Sequence, residues 1–195
     1  MLWDDFINSE WHDWRGSGRS EDRLDRDSWL LEFMKQNERI CALSLPTDEE
    51  RRELKKLRRL LRDLVRSITS GQPPVPDQVR QLNEWMSGAP VYRQLTLANN
   101  GTGFRVSLIP AATGWVQGMA DIAASFAETL QQGELSRIRI CINPDCKWVY
   151  YDETRNRSKQ YCDDKACGNL LKVRRFRAKK KQAEAGSSPG KDISP

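Results

Sequence analysis

Apolar residues recur at helical spacing in four stretches of this 195-residue chain. The clearest begins at Thr47. Leu54, Leu57, Leu61, Leu64, Val65 and Ile68 form one stripe among charged residues, and Ser70-Gly71 ends it. Pro46 precedes this stretch, and Thr47 with Glu50 makes a capping-box pattern. An earlier helix is predicted over 28–41, capped by Asp27, with Leu30, Phe33, Met34 and Cys41 near helical spacing. A third starts after Asp77 and places Val79, Leu82, Trp85 and Met86 on one face. A fourth covers about 113–131, with Trp115, Met119, Ile122, Phe126 and Leu130 inward and Gly133 as its stop. Between the second and third, SGQPPVPD is a loop, because its prolines cannot continue a helix.

Elsewhere the period changes from that of a helix to that of a strand. Phe104, Val106 and Leu108 alternate with Arg105 and Ser107, and NNGTG before them tolerates positive φ, so residues 91–110 predict a β-hairpin. RIRI at 137–140 reads as a short strand, and KWVYYD is strand-forming. NLLKVRRFRAKKK reads as a last helix with Leu170, Val173 and Phe176 on one face. The final stretch, 182–195, has the composition of a disordered tail.

Four of the five cysteines lie between the strand at 137–140 and the last helix. They form two pairs, Cys141-x4-Cys146 and Cys162-x4-Cys167. Soft thiolates at paired spacing suit one tetrahedral Zn²⁺, and Pro144-Asp145 favours the turn that brings the first two sulfurs together. Buried small residues or a disulfide cluster are the competing readings. The N-terminus lacks a basic start and an apolar core, and no stretch approaches the length of a membrane span. The expectation is therefore a cytoplasmic protein with no membrane partner and with reduced thiols, which favours zinc over disulfides. The one histidine, His12, is far off, so the metal is expected to be structural. No Ser-His-Asp or Cys-His arrangement can be named, and the chain is not expected to be an enzyme. Cys41 reads as a packed thiol rather than a nucleophile.

Charge sharpens the picture. The net charge is +5, but residues 141–181 hold twelve Lys or Arg against five Asp or Glu. The cysteine module is therefore the basic part, and such a local excess points to nucleic acid, with double-stranded DNA as the expected target. Lys172, Arg174, Arg175, Arg177, Lys179, Lys180 and Lys181 follow one another without an acidic residue. A merely solvated helix face is the plainer reading. Arg155, Arg157 and Lys159 add cations on the loop between the cysteine pairs, and Trp148, Tyr150, Tyr151 and Tyr161 lie nearby, able to stack on bases. The expected architecture is α+β: a mostly helical domain over 1–136 with one hairpin, then a treble-clef-like zinc finger with a basic C-terminal helix over 137–181.

Four of seven tryptophans (Trp3, Trp11, Trp14 and Trp29) lie in the first 29 residues, around a loop containing Gly16 and Gly18. Trp14, Arg15 and Arg19 could form an aromatic pocket clamping an anionic effector. Alternatively, the tryptophans fill the core and the loop only connects.

These residues resemble a known pair of modules. Cys141, Pro144, Asp145, Cys146, Trp148, Asp152, Arg155, Asn156, Ser158, Cys162, Cys167, Gly168, Asn169 and Lys172 match the CGNR zinc-finger pattern, and FINSEWHDWRGSGRSEDRL with the helices after it is similar to the ABATE domain that precedes this finger in bacteria. The resemblance implies a stress-induced transcription regulator whose finger binds DNA and whose first domain senses a ligand. Leu170 stands where the family carries Arg. A finger this small contacts few base pairs, so specific binding implies a homodimer. The competing function is a zinc-stabilised protein-interaction module whose basic helix docks on an acidic partner.

Overall fold

The computed structural model describes residues 1–72, 74–98 and 101–186. Its spine is the long helix α3 (Asp48–Thr69), and the α-helices before it in the chain are α1 (Leu2–Ile7) and α2 (Asp27–Lys35). The capping box forms as its residues require: Thr47 Oγ1 accepts the Glu50 N–H at 3.3 Å, and the Glu50 carboxylate accepts the Thr47 N–H at 2.7 Å. Leu54, Leu57, Leu61, Leu64 and Val65 are wholly buried along its inner face. Helices α4 (Pro76–Ser87) and α5 (Gly114–Gln132) pack on it, with Trp115, Ile122 and Phe126 of α5 in the core.

The sheet content is three separate antiparallel pairs among the described residues: β1 (Glu10–His12) with β2 (Ser20–Asp22), β3 (Val91–Leu97) with β4 (Phe104–Pro110), and β5 (Ile138–Ile140) with β6 (Val149–Tyr151). The fold is α+β, with the cysteine module and its helix α6 (Asn169–Gly186) at the C-terminal end. The tips of the second hairpin, Asn99 and Asn100, lie outside the described residues.

One core serves both ends of the chain. Ile138 and Val149, from the strands that lead into and out of the first cysteine pair, are buried with Trp3, Phe6, Leu61 and Phe126. Asn8, just past α1, is buried and acts as a short strand: its side-chain N–H donates to the Val149 carbonyl at 2.7 Å, and its carbonyl accepts the Val149 N–H at 2.9 Å. Two arginines on α3 hold the segment between α1 and β2. Arg58 makes a paired bond to the Asp22 carboxylate at 2.7 and 2.5 Å and reaches Ser9 Oγ at 2.8 Å. Arg62 donates to the Ile7 carbonyl at 2.9 Å. Both guanidiniums are buried; the Asp22 carboxylate balances the charge of Arg58, while Arg62 has Glu10 at 3.6 Å and a buried Nε without a hydrogen-bond partner.

Several expectations require correction. The helix expected over 28–41 spans Asp27–Lys35, so Asp27 opens it and Arg26 occupies the cap position. Turns follow, and Cys41 is exposed instead of packed, with its sulfur bonded to the Glu38 carbonyl at 3.3 Å. Val79 is 44% exposed, and Leu82 alone of the α4 face is fully buried. Helix α6 continues through 182–186, where a tail was expected, and 187–195 lie outside the described residues. The apolar triad of that helix fails as an inward face: Val173 is 45% and Phe176 69% exposed. Helix α1 and the β1–β2 hairpin were not anticipated.

Candidate metal centre and basic helix

The four cysteines converge. Cys141 follows β5 directly, and its N–H donates to the Trp148 carbonyl at 2.8 Å, which closes the loop end of the hairpin. The Asn143-Pro144-Asp145 turn returns the chain, with the Cys146 N–H donating to the Asn143 carbonyl at 3.0 Å. Cys162 precedes a π-helical turn, Asp164–Gly168, that carries Cys167. The Asp163 carboxylate caps this turn by accepting the Lys165 and Ala166 N–H groups at 2.7 and 2.9 Å. Gly168 packs closely: a Cβ there would stand 3.3 Å from the Tyr161 ring, a tight contact that the ring would have to yield to.

All four sulfurs lie within 4.8 Å of one another. Cys146 to Cys162 is 3.6 Å and Cys162 to Cys167 is 3.8 Å. A tetrahedron with Zn–S bonds of about 2.3 Å has edges of about 3.8 Å, so the thiols sit where zinc would need them. Cys141, Cys146 and Cys167 are buried and Cys162 is half-buried. Four protein ligands leave no open position, which marks a structural metal. Hydrogen bonds from Cys146 and Cys162 hold Cys141 well below the usual thiol range, while their bonds to Cys141 push Cys146 and Cys162 up. Four thiolates cannot share so small a volume without a compensating cation, and a dication supplies it.

A supporting layer surrounds the sulfurs. Asn143, fully buried, donates to Cys167 Sγ at 3.4 Å and to the Trp14 carbonyl at 2.8 Å. Such a bond fixes a thiolate's position and tempers its charge. Asp152 is also fully buried. Burial alone would raise its pKa, but the hydroxyl and N–H of Thr154 and the N–H of Lys159 all donate to its carboxylate and hold it below its ordinary value. This carboxylate therefore shapes the 154–159 loop. Tyr150 and Tyr161, expected as stacking surfaces, are buried against the cysteines, and the Tyr150 hydroxyl donates to the Lys159 carbonyl at 2.8 Å.

The 13–19 loop belongs to this centre. Trp14 packs on the cysteine cluster, and the Arg15 guanidinium lies 4.5 Å above its ring. Arg19 is exposed, bonded to Ser17 Oγ and 3.8 Å from Asp13. Trp14 thus lies between the metal module and the Arg15 guanidinium, while Arg19 is bonded to Ser17. Arg174 of α6 closes the junction by donating to Asp145 at 2.8 Å and to the Arg15 carbonyl at 2.7 Å. Gly16 makes this possible: its φ is +84°, and a Cβ there would come within 2.6 Å of the Arg174 guanidinium.

The remaining cations separate into two groups. Arg157 pairs with Glu134, and Lys159 lies 5.0 Å above the Tyr150 ring. Arg155, Lys172, Arg175, Arg177, Lys179, Lys180 and Lys181 are exposed. Among the described residues α6 leans mainly on the π-helical turn before it, then extends from the module with cations around most of its circumference. Spacing places Lys172, Arg175 and Lys179 on the side away from Arg174.

The family described as "Putative stress-induced transcription regulator", ABATE, matches residues 2–133, and the CGNR zinc finger matches residues 137–180. The chain belongs to the ABATE family. Its two modules follow in the expected order, and the zinc assignment rests on both the family match and the sulfur geometry. Neither family is one of enzymes. No curated relative matches the chain. No helix among the described residues is long and apolar enough to cross a membrane.

Sequence reasoning missed Asn8, Asp13 and Asn143, and it found Gly16 only as a loop residue. Asn143 carried a faint signal as the residue before Pro144-Asp145 in the turn; Asp13 bonds within its own loop, to Ser17 and the Arg15 N–H, while Asn8 acts through a partner far away in sequence.

Proposed function

We propose that this protein is a transcription regulator that binds duplex DNA through α6. The observation that carries the reading is the projecting helix: cations on most sides, little contact with the body, and one end fixed to a metal-stiffened module. A helix about 10–12 Å across fits a major groove about 12 Å wide. Lys172, Arg175 and Lys179 are the primary phosphate contacts, with Arg177, Lys180 and Lys181 flanking them and Arg155 contacting the backbone from the loop. Arg174 positions the helix and contributes charge only secondarily. Arg157 and Lys159 shape the loop from which Arg155 projects.

An effector site fits best in a cleft of about 560 Å³ at the junction of the two modules. Its walls include Trp3, Arg39, Glu128 and Thr129 from the first module and Tyr151 from β6, so a small molecule there would touch both.

The test compares the zinc-loaded chain with a Lys172→Gln, Arg175→Gln, Lys179→Gln variant by fluorescence anisotropy on duplex DNA across salt concentrations. Loss of three phosphate contacts flattens the slope of log K against log salt by about 2–3. An unchanged slope removes α6 from the interface and favours the second reading, an acidic protein partner, for which exposed Phe176 and Val173 offer an apolar hold among the cations.

A further inference from the structure

The hairpin of β3 and β4 carries an uncovered apolar face. Its register pairs Val91 with Pro110, Arg93 with Leu108, Leu95 with Val106 and Leu97 with Phe104, so these eight residues share one side. The other side holds Tyr92, Gln94, Thr96, Arg105, Ser107 and Ile109. A sheet with one apolar and one polar face ordinarily turns the apolar one to a core. Here it faces solvent: Leu95, Leu97, Phe104, Val106 and Leu108 are between 61% and 73% exposed. Neither strand packs broadly on any helix, and the pair has no third strand among the described residues. A free two-stranded hairpin is only marginally stable in water, and a contiguous apolar patch of this size marks an interaction surface.

We infer that this face is the interface of a homodimer, with the hairpins of two copies stacked apolar face to apolar face. Three observations favour a second copy. The first is area. The exposed parts of Val91, Leu95, Leu97, Phe104, Val106 and Leu108 amount to roughly 700 Å² per chain, so a pair buries up to about 1,400 Å², within the range of a stable specific interface. The second is self-complementarity. The sole charge on the face is Arg93, two residues from Leu95 toward the hairpin base. Antiparallel stacking about a two-fold axis through the Leu95–Val106 pair sets Arg93 of each copy on the Leu97–Phe104 pair of the other. There the guanidinium meets an aromatic ring and the two arginines stay apart. The third is the poverty of the alternative within the chain: the last nine residues, SSPGKDISP, hold one large apolar side chain, Ile193, and cannot cover six. The inference does not depend on DNA binding, since it concerns the opposite kind of surface and is tested without nucleic acid.

Sedimentation of the full zinc-loaded chain at roughly 1–100 μM, within the affinity range such areas support, decides the matter. A species of twice the 22.5 kDa chain mass is expected. The Leu95→Lys, Phe104→Lys variant should become a monomer with unchanged circular dichroism and zinc content. Gln94→Lys, on the polar face, should keep the dimer. A wild-type chain that stays monomeric throughout overturns the proposal, as does a dimer that survives Leu95→Lys, Phe104→Lys. A wild-type monomer that sediments with neutral lipid vesicles instead assigns the face to a membrane surface.

Discussion

Replacing Asn8 by Ala isolates the bond that ties the first module to the metal module. The side chain makes two hydrogen bonds to one residue, at 2.7 and 2.9 Å, and both partners are shut off from water: Asn8 is 3% and Val149 1% exposed. Alanine removes the amide and leaves the Val149 N–H and carbonyl unpaired inside the core. Each unpaired group costs about 1–3 kcal/mol, so the loss is about 2–4 kcal/mol once local adjustment is allowed. For a chain of this length, 1 kcal/mol moves the melting temperature by about 2–4 °C, giving a fall of about 5–15 °C. The effect should also reach the metal. Val149 opens β6, three residues after Cys146, so a loosened strand end frees a ligand. Calorimetry with and without a chelator reads the first consequence, and the rate of zinc release to a colorimetric chelator reads the second. A melting temperature within about 2 °C of the parent, with unchanged zinc release, would refute the reasoning, because two buried bonds cannot be lost so cheaply.

Further predictions follow from the same geometry. Metal analysis should give one Zn²⁺ per chain, and Cys162→Ser should lose most of it; full occupancy in the variant contradicts a four-cysteine site. Gly16→Ala should destabilise by about 1–3 kcal/mol, because its left-handed φ is costly for alanine and its new methyl displaces Arg174; denaturant midpoints equal to the parent's would dissolve the latch. Burial alone would raise the Asp22 pKa, but the Arg58 guanidinium outweighs it and holds the carboxyl below its ordinary value. A depressed folded-state pKa contributes stability above the unfolded value of about 3.9 and loses it as pH falls through the folded one. Asp22→Asn should therefore reduce the acid dependence of stability below about pH 4. It should also cost about 3 kcal/mol at neutral pH, because Arg58 stays buried without its counter-charge. A denaturation series across pH that leaves the two proteins parallel throughout contradicts this.

What the sequence disclosed and what it concealed follow a physical line. Helix α3 was legible because its cap and stripe are local, repeating signals, and Thr47 with Glu50 satisfies the same N–H groups that the structure shows them satisfying. The cysteines were legible because a metal dictates both residue type and spacing. Helix α1 was not, since six residues of LWDDFI give less than two turns of period and are held by core burial rather than propensity. The junction escaped for another reason. Asn8 with Val149, Trp14 with Asn143, and Arg15 with Arg174 are each isolated residue pairs across more than a hundred residues, and no local pattern encodes such a partner. The hairpin shows the limit from the other side. Alternation along Phe104, Val106 and Leu108 gives strand and register, yet it cannot say whether the apolar face meets its own chain or another. Likewise the spacing of Val173 and Phe176 suggested an inward face, but α6 has almost nothing to face.

The central claim, that the metal module presents α6 to duplex DNA, is met most directly by one titration: the zinc-loaded chain against labelled duplex at several salt concentrations, with random competitor DNA present. The account predicts salt-dependent binding that persists under competitor and disappears when the metal is stripped. Binding abolished by modest salt or by competitor, or indifferent to the metal, would contradict it.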